Sequence, residues 1–330
     1  MDPTLGILSA ACRLPRRTRS AAAILEEEGV PGGEDLARRL GIEQVPVADG
    51  ERGSELALAA ASEALERAGV PAVELDVIVD GTALPQEYLV PAWSMSNKLQ
   101  HEIGAKRAFT IGFSGAGATG FQVGLHFADC LARSDARIRH VLWLAADMAI
   151  PGNRVLAPED PVTVLGDAAS AVLLGRGAAR DVVHDSALAT DGALHDVCCI
   201  PGGAMTHPDR RDLFRLRLDR AAYRAASPLR PLRALAEQLL RRHGLSAADV
   251  ALHLHPNLSA SESAELDAAL GVPANRAARR NLAQHGHLQA NDFVVNWLSA
   301  ADGGGLRPGD WILASSHGFG FTTGVSLLRH

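Results

Sequence analysis

A layered α/β fold built from two similar halves is what this sequence of 330 residues predicts. Three features carry the prediction. Short β-rich runs alternate with amphipathic stretches along the chain, the pattern of sheets and helices stacked in layers. A helix leading into an apolar strand occurs once in each half, as DVIVDGT at 76–82 and as DVALHLHP at 249–256. No low-complexity linker separates the halves, so residues 1–178 and 179–330 are expected to pack as one body, dividing near GRGAARD at 175–181.

The elements follow in order. Leu5–Ser9 opens the chain as an apolar strand, and Ser54–Ala68 is the first long helix. Apolar residues at 56, 58, 60, 61, 64, 65 and 68 recur at helical spacing, and Gly69 supplies a C-cap. Val77–Gly81 is a strand, Ala92–Ile103 a helix, and Ala108–Phe113 a strand that runs into the glycine-rich elbow SGAGATG at 114–120. Thr119–Arg133 continues from the elbow as a helix, followed by strands His140–Ala146 and Ala169–Leu174. In the second half, strand Val183–Ala189 precedes helix Leu229–His243 and strand Val250–His255. Helices Ser261–Leu270 and Asn291–Ala301 then lead to strands Trp311–Ser316 and Thr322–Leu328, a closing hairpin.

Composition narrows the function. With 47% hydrophobic residues the chain can bury one large core or two modest ones. A net charge of −6 gives no general attraction to nucleic acid or to an anionic membrane. The start, MDPTLGILSAACRLPRRTR, has no charged segment leading into a long apolar run, and no window holds 18 uninterrupted apolar residues. The four cysteines lack C-x-x-C spacing, and the adjacent Cys198 and Cys199 are not expected to pair. A soluble, reduced, cytoplasmic protein is expected. Residues 209–242 hold ten arginines, which read either as a solvated helix face or as a docking surface for a phosphorylated carrier or cofactor.

Seven collinear segments resemble the ketoacyl-ACP synthase III branch of the thiolase superfamily. They are RLGI (39–42), the helix, strand and loop of 55–91, LGDAASAVLLGRG (165–177), IPGGAMTHP (200–208), LHLHPNL (252–258), QHGHLQAND (284–292) and HGFGFTTGVSLLR (317–329). The resemblance implies a thiolase fold in α-β-α-β-α layers, with two five-stranded sheets around buried helices, usually as a homodimer. It implies no cofactor, and an acyl-CoA or phosphopantetheinyl thioester as substrate, entering a narrow tunnel. The family's triad is Cys-His-Asn. The thiol takes up the acyl group, while His and Asn stabilise an enolate or oxyanion.

The triad positions differ here. ATGFQVGL (118–125) resembles the family's Cys-Ser-Gly-Phe-x-x-Gly-Leu, which puts Ala118 at the cysteine; counting from GAK (104–106) gives Gly117 instead. Two hydroxyls are candidate substitutes. Ser114, in GFSGA, partly echoes the G-x-S-x-G elbow and needs an adjacent base; its other reading is a small residue packed at a strand end. Thr119 is the second candidate, or a helix N-cap. Cys130 is expected to be a small buried residue far from the elbow. His255 matches the family histidine and is expected in the site, its other reading being a hydrogen-bonded core histidine, with His253 assigned to the opposite face. His287 replaces the asparagine, exchanging a neutral amide for a group with both a donor and an acceptor nitrogen. His317 stands where the family has an apolar residue, so three histidines are expected at one pocket. They raise a zinc reading, but no H-E-x-x-H or cysteine-rich spacing accompanies them and no metal is expected. Cys198, Cys199 and Val90 are assigned to the pocket lining, with a thiol nucleophile at Cys198 or Cys199 as the sharper alternative. Arg39 matches the position that contacts the CoA nucleotide. After the histidine segment the family's basic carrier-docking residues are replaced by acidic SASESAELDAALG (259–271).

Condensation through an acyl-thiol is therefore not expected. The leading expectation is an acyltransferase of specialised metabolism. It would move an acyl group from CoA or a carrier protein to the hydroxyl or amine of a small-molecule acceptor. Either Ser114 carries the group, or His255 or His287 deprotonates the acceptor for direct attack. The alternatives are a silent partner subunit of a heterodimer and a thioester decarboxylase.

Overall fold

The computed structural model describes residues 5–88, 93–318 and 321–330. Nine strands make one mixed sheet: β1 (Gly6–Arg13), β2 (Val77–Asp80), β3 (Phe109–Gly112), β4 (His140–Asp147), β5 (Ala168–Gly175), β6 (Val182–Thr190), β7 (Val250–Leu254), β8 (Trp311–His317) and β9 (Thr322–Arg329). Across the sheet the order is β7-β8-β9-β6-β1-β5-β4-β2-β3. Each arises from one of the nine apolar runs. β1 runs on to Arg13 rather than stopping at Ser9, because Ala10–Arg13 pair with Ala169–Val172 beyond an irregularity between Ile7 and Ser9.

The two sides of the sheet have a common plan. Outermost lie parallel strands, β3-β2-β4 on one side and β7-β8 on the other. Inside them come the antiparallel strands β5 and β9, then β1 and β6, which meet through the single register pair Gly6↔Val182. Two five-stranded sheets were expected. The β6 to β9 side contributes four strands, because the chain between β7 and β8 is spent on helices.

Nine helices matter for the site: α1 (Gly33–Leu40), α2 (Gly53–Ala68), α3 (Met95–Glu102), α4 (Gly120–Ser134), α5 (Arg220–Ala226), α6 (Leu229–Arg242), α7 (Ala260–Leu270), α8 (Arg276–His285) and α9 (Asn291–Asp302). Of these α1, α5 and α8 were not expected. Arginine and acidic residues hide their short apolar stripes, which for α1 amount to Leu36, Ala37 and Leu40. Helix α2 covers β1, β4 and β5 with a strip of alanines, at 57, 60, 61 and 64, that lets it lie close to the sheet. On the far side α6 covers β6, β8 and β9. Between the two sides lie α4, against β4, β6 and β9, and α9, against β1, β4, β5 and β7. That is the expected α-β-α-β-α stack.

The middle layer fixes the elbow. Phe121 of α4 stacks on Phe293 of α9 at a centroid distance of 5.1 Å, a contact worth about 0.5–1.5 kcal/mol beyond its buried area. The Trp143 indole donates to the Gly120 carbonyl at 3.1 Å. A Cβ on Gly124 would collide with that indole, and one on Gly120 with the Gly81 carbonyl. Only glycine lets the start of α4 press this closely on β2 and β4, and the elbow is carried in with it.

Candidate active site

Residues Gly117–Thr119 form one 3-10 turn that leads into α4. The turn is clasped by the β8–β9 hairpin. The Thr119 hydroxyl donates to the Thr322 carbonyl at 2.9 Å and lies 3.1 Å from Ser316 Oγ. A side chain on Gly318 would run into the Ala116 carbonyl. Thr119 is thus a fully buried tie between elbow and hairpin; it neither caps α4 nor lines a cavity.

Ala118 does line a cavity, a space of about 60 Å³. Facing it are Tyr223 of α5, His287 and Gln289 from the α8–α9 connection, His317 at the end of β8, and Phe321. His287 and His317 therefore converge as expected. No local sequence pattern singled out Tyr223, Gln289 or the carboxylate behind them, Asp292.

His287 and Asp292 form a dyad. Nδ1 of the imidazole lies 2.6 Å from Asp292 Oδ2, and both residues are buried. An ionised carboxylate only accepts, so Nδ1 carries the proton and, in the neutral ring, Nε2 keeps its lone pair. The carboxylate is fixed in turn by the backbone N–H groups of Asn257 (2.8 Å) and Leu288 (3.0 Å). The ring is held from the other direction by its own backbone. Leu165 and His287 form an isolated parallel bridge, and the His287 N–H donates to the Val164 carbonyl at 3.0 Å.

His317 is a different kind of group. Its Nε2 lies 2.9 Å from the Tyr223 hydroxyl, and its ring stacks on Phe321 at an interplanar angle of 16°. Burial, with the neighbouring His287 adding to it, pushes the imidazole down to about 4, so it is neutral near pH 7. Burial likewise pushes the Tyr223 phenol up.

His255 is displaced from the expected site. β7 ends at Leu254, and the residue that reaches the cavity is Pro256. The His255 ring instead donates from Nδ1 to the Pro256 carbonyl at 2.9 Å, and its Nε2 lies 4.0 Å from Asp267. His253 and His255 do not take opposite faces; their rings are 5.1 Å apart. Positions two apart on a strand share a face, and both point toward α7. His253 donates from Nδ1 to Asp267 Oδ1 (2.8 Å) and accepts at Nε2 from Ser315 (2.8 Å). Burial pushes it down to about 4. His253, His255 and Asp267 are the one group with metal-type spacing among the described residues, with ligand atoms within 4.8 Å of one another. Both nitrogens of His253 are already used in hydrogen bonds, so the group reads as a buried polar network.

The remaining expectations divide. Ser114 is exposed beyond the end of β3 and does not line the cavity, so no histidine of this site is beside it. Gly117 lies in the turn, away from the lining, and Ala118 is the elbow residue that faces inward. Cys198 borders the cavity, but burial pushes its thiol up to about 12, which leaves it inert. Cys199 alternates to a separate surface cleft beside Arg215 and Arg217. Cys130 is exposed on α4 rather than buried. Arg39 is exposed in the last turn of α1, its side chain unpaired among the described residues. Val90 lies outside the described residues.

A wider cleft of about 640 Å³ opens between the segment 85–88 and the loop 200–214, including Gly202, Gly203 and Phe214. Arg210 and Arg211 stand on its wall. Most arginines of 209–242 are spent on local acids: Arg210 on Asp212, Arg220 and Arg224 on Asp160, Arg233 and Arg241 on Glu237, Arg242 on Asp185. The solvated-face reading holds for the exposed ones, whereas Arg220 is largely buried. No helix among the described residues is long and apolar enough to cross a membrane.

Residues 240–330 match the family model for the C-terminal part of 3-oxoacyl-[acyl-carrier-protein] synthase III. The β-ketoacyl-[acyl-carrier-protein] synthase III of Oleidesulfovibrio alaskensis is 31% identical over 310 residues, covering 90% of each chain. The 3-oxoacyl-[acyl-carrier-protein] synthase III structure from Aquifex aeolicus superposes with a TM-score of 0.82 at 23% identity, over 99% of this chain and 100% of that one. The acyltransferase ChlB3 superposes with a TM-score of 0.83 at 23% identity, over 99% and 98%. The layered arrangement is the thiolase-like fold of these structures.

Proposed function

This chain belongs to the β-ketoacyl-[acyl-carrier-protein] synthase III family, and from that premise we propose that it transfers an acyl group directly from a thioester to a hydroxyl or amine acceptor. The observation that carries the proposal is the His287–Asp292 dyad at 2.6 Å on the wall of the cavity that Ala118 lines. His287 Nε2 takes the proton of the acceptor O–H or N–H, whose oxygen or nitrogen attacks the thioester carbonyl. As the tetrahedral centre collapses the C–S bond breaks, and the departing sulfur takes the proton back from Nε2. No enzyme thiol enters these steps. In this reading Ala118 stands where the family's nucleophilic cysteine would be, and Cys198 is too basic to replace it. The exposure of Ser114 favours the direct route over an acyl-serine.

The donor is acyl-CoA or an acyl carrier protein. Its arm would enter by the 640 Å³ cleft, where Arg211 makes no ion pair among the described residues and can meet a phosphate. The protein is assigned to specialised metabolism, works without a cofactor, acts in the cytoplasm, and pairs as a homodimer. The division at 178/179 is proposed as the boundary of two thiolase-like halves, supported by the common strand plan on either side of β1 and β6.

The test is release of CoA or carrier thiol that depends on an added acceptor. The native protein should show it with at least one short acyl donor, and His287→Ala should lower the rate about 100-fold or more. A well-folded sample that releases no thiol across a broad panel of donors and acceptors would sink the reading. Mass spectrometry after incubation with acyl-CoA should find no adduct on the peptide containing Ser114.

A further inference from the structure

Two polar groups on the cavity wall have no hydrogen-bond partner among the described residues. Gln289 is 2% exposed, and neither end of its side-chain amide bonds to another described residue; the buried Nε2 is left without a partner. Nδ1 of His317 is also buried and unpartnered among the described residues. Both residues line the same small space as Ala118 and His287. Leaving such a group dry and unpaired is unfavourable, and the usual solution of turning it to solvent is closed to both. Gln289 is moreover held at a φ of 56°, the left-handed region that non-glycine residues rarely occupy. Strain of that kind persists where the surrounding structure imposes it, and it gathers at ligand sites.

The hydrogens are assigned from the contact between Tyr223 and His317. Tyr223 stays protonated, and its hydroxyl has no hydrogen-bond partner among the described residues other than His317 Nε2, at 2.9 Å. Its single O–H is satisfied by donating to that nitrogen, which leaves the imidazole proton on Nδ1. The Gln289 amide brings a second N–H to the same wall. Two neutral donors beside the His287 base call for an acceptor oxygen.

We infer that Gln289 Nε2–H and His317 Nδ1–H are paired donors that hold the carbonyl oxygen of the acyl donor, so that Gln289, His317 and, through His317, Tyr223 position the thioester beside the His287 base. This rests on the acyl-transfer reading and adds to it the groups that receive the charge. As the acceptor attacks, the carbonyl oxygen becomes an oxyanion, and preformed donors strengthen toward it at the point where charge develops. Tyr223 acts only by fixing the His317 tautomer.

The inference is tested by binding, apart from turnover. S-acetylpantetheine carries the thioester carbonyl on the arm that CoA and carrier proteins share, whereas S-ethylpantetheine is the thioether without the carbonyl. In NMR titrations the native protein should bind the thioester about tenfold more tightly, the value of one good hydrogen bond. Gln289→Leu and His317→Phe should each cut the preference to about threefold, with the affinity for the thioether unchanged. That unchanged affinity separates lost donors from a damaged pocket. His287→Asn should keep the preference while losing transfer. Equal binding of both compounds by the native protein, binding of neither, or a full preference retained in Gln289→Leu overturns the inference. A native protein that prefers the thioester yet transfers to no acceptor would sink the acyl-transfer reading and leave the donor pair standing.

Discussion

The carboxylate of Asp292 decides which nitrogen of His287 is free. With aspartate behind it, Nδ1 holds the proton and Nε2 is a base; an amide in the same place can donate to Nδ1 and push the proton to Nε2. Asp292→Asn should therefore fold and still bind thioester, while thiol release falls about 100-fold or more. A fall in activity matched by a loss of binding would instead mark Asp292 as structural. A second residue-scale consequence is acid sensitivity. His253 and His317 are pushed down from 6.5 to about 4, so between those values the unfolded chain takes up protons that the folded chain refuses, and stability falls as the pH drops. Asp147 runs the other way. Burial pushes it up from 3.8 to about 7, so its contribution is complete below 3.8 and is lost as the pH rises through 7. Urea unfolding at pH 7 and pH 5 should show His317→Phe losing less stability on acidification than the native chain, by about 1–2 kcal/mol. An equal loss in both would refute the assignment.

At the scale of elements, the nine strands were legible because each is a short apolar run between breakers, and most are buried on both faces. The elbow was legible for the opposite reason: its glycines serve the backbone, Gly115 and Gly117 through positive φ and Gly120 through close approach. Gly124→Ala drives a methyl group into Trp143 and should cost about 1–3 kcal/mol in chemical denaturation. A neutral result would mean that α4 does not bear on β4 as closely as described. The histidine segment was misread at this scale. Its strand stops at Leu254 and Pro256 follows, so His255 is turned back toward α7 and Asp267 rather than carried forward into the cavity. Matching that histidine to its family position gave its place in the chain but not the direction of its ring.

For the whole molecule, the sheet leaves β3 as an open edge, paired only with β2 among the described residues. Phe109 on it is exposed, and Ile111 only partly covered. An unpaired apolar edge is where a second copy would dock. Light scattering on the purified protein should give twice the chain mass, and Phe109→Lys with Ile111→Lys should give a monomer. A native monomer at micromolar concentration removes the homodimer.

By itself the chain determined the fold class, the order of the strands, the family, and the fact that no thiol occupies residues 107–125. These are local properties: which residues are apolar, at what period, and between which turns. Only the tertiary structure decided that the elbow alanine meets a dyad and a donor pair. Ala118, Tyr223, His287, Gln289 and His317 come from four separate stretches of chain, brought together by a glycine contact at α4, a hairpin closing on the elbow, and a helix absent from the sequence pattern. Periodicity ranks residues as inside or outside. It carries no record of which buried side chains face one another, because that depends on how distant layers pack.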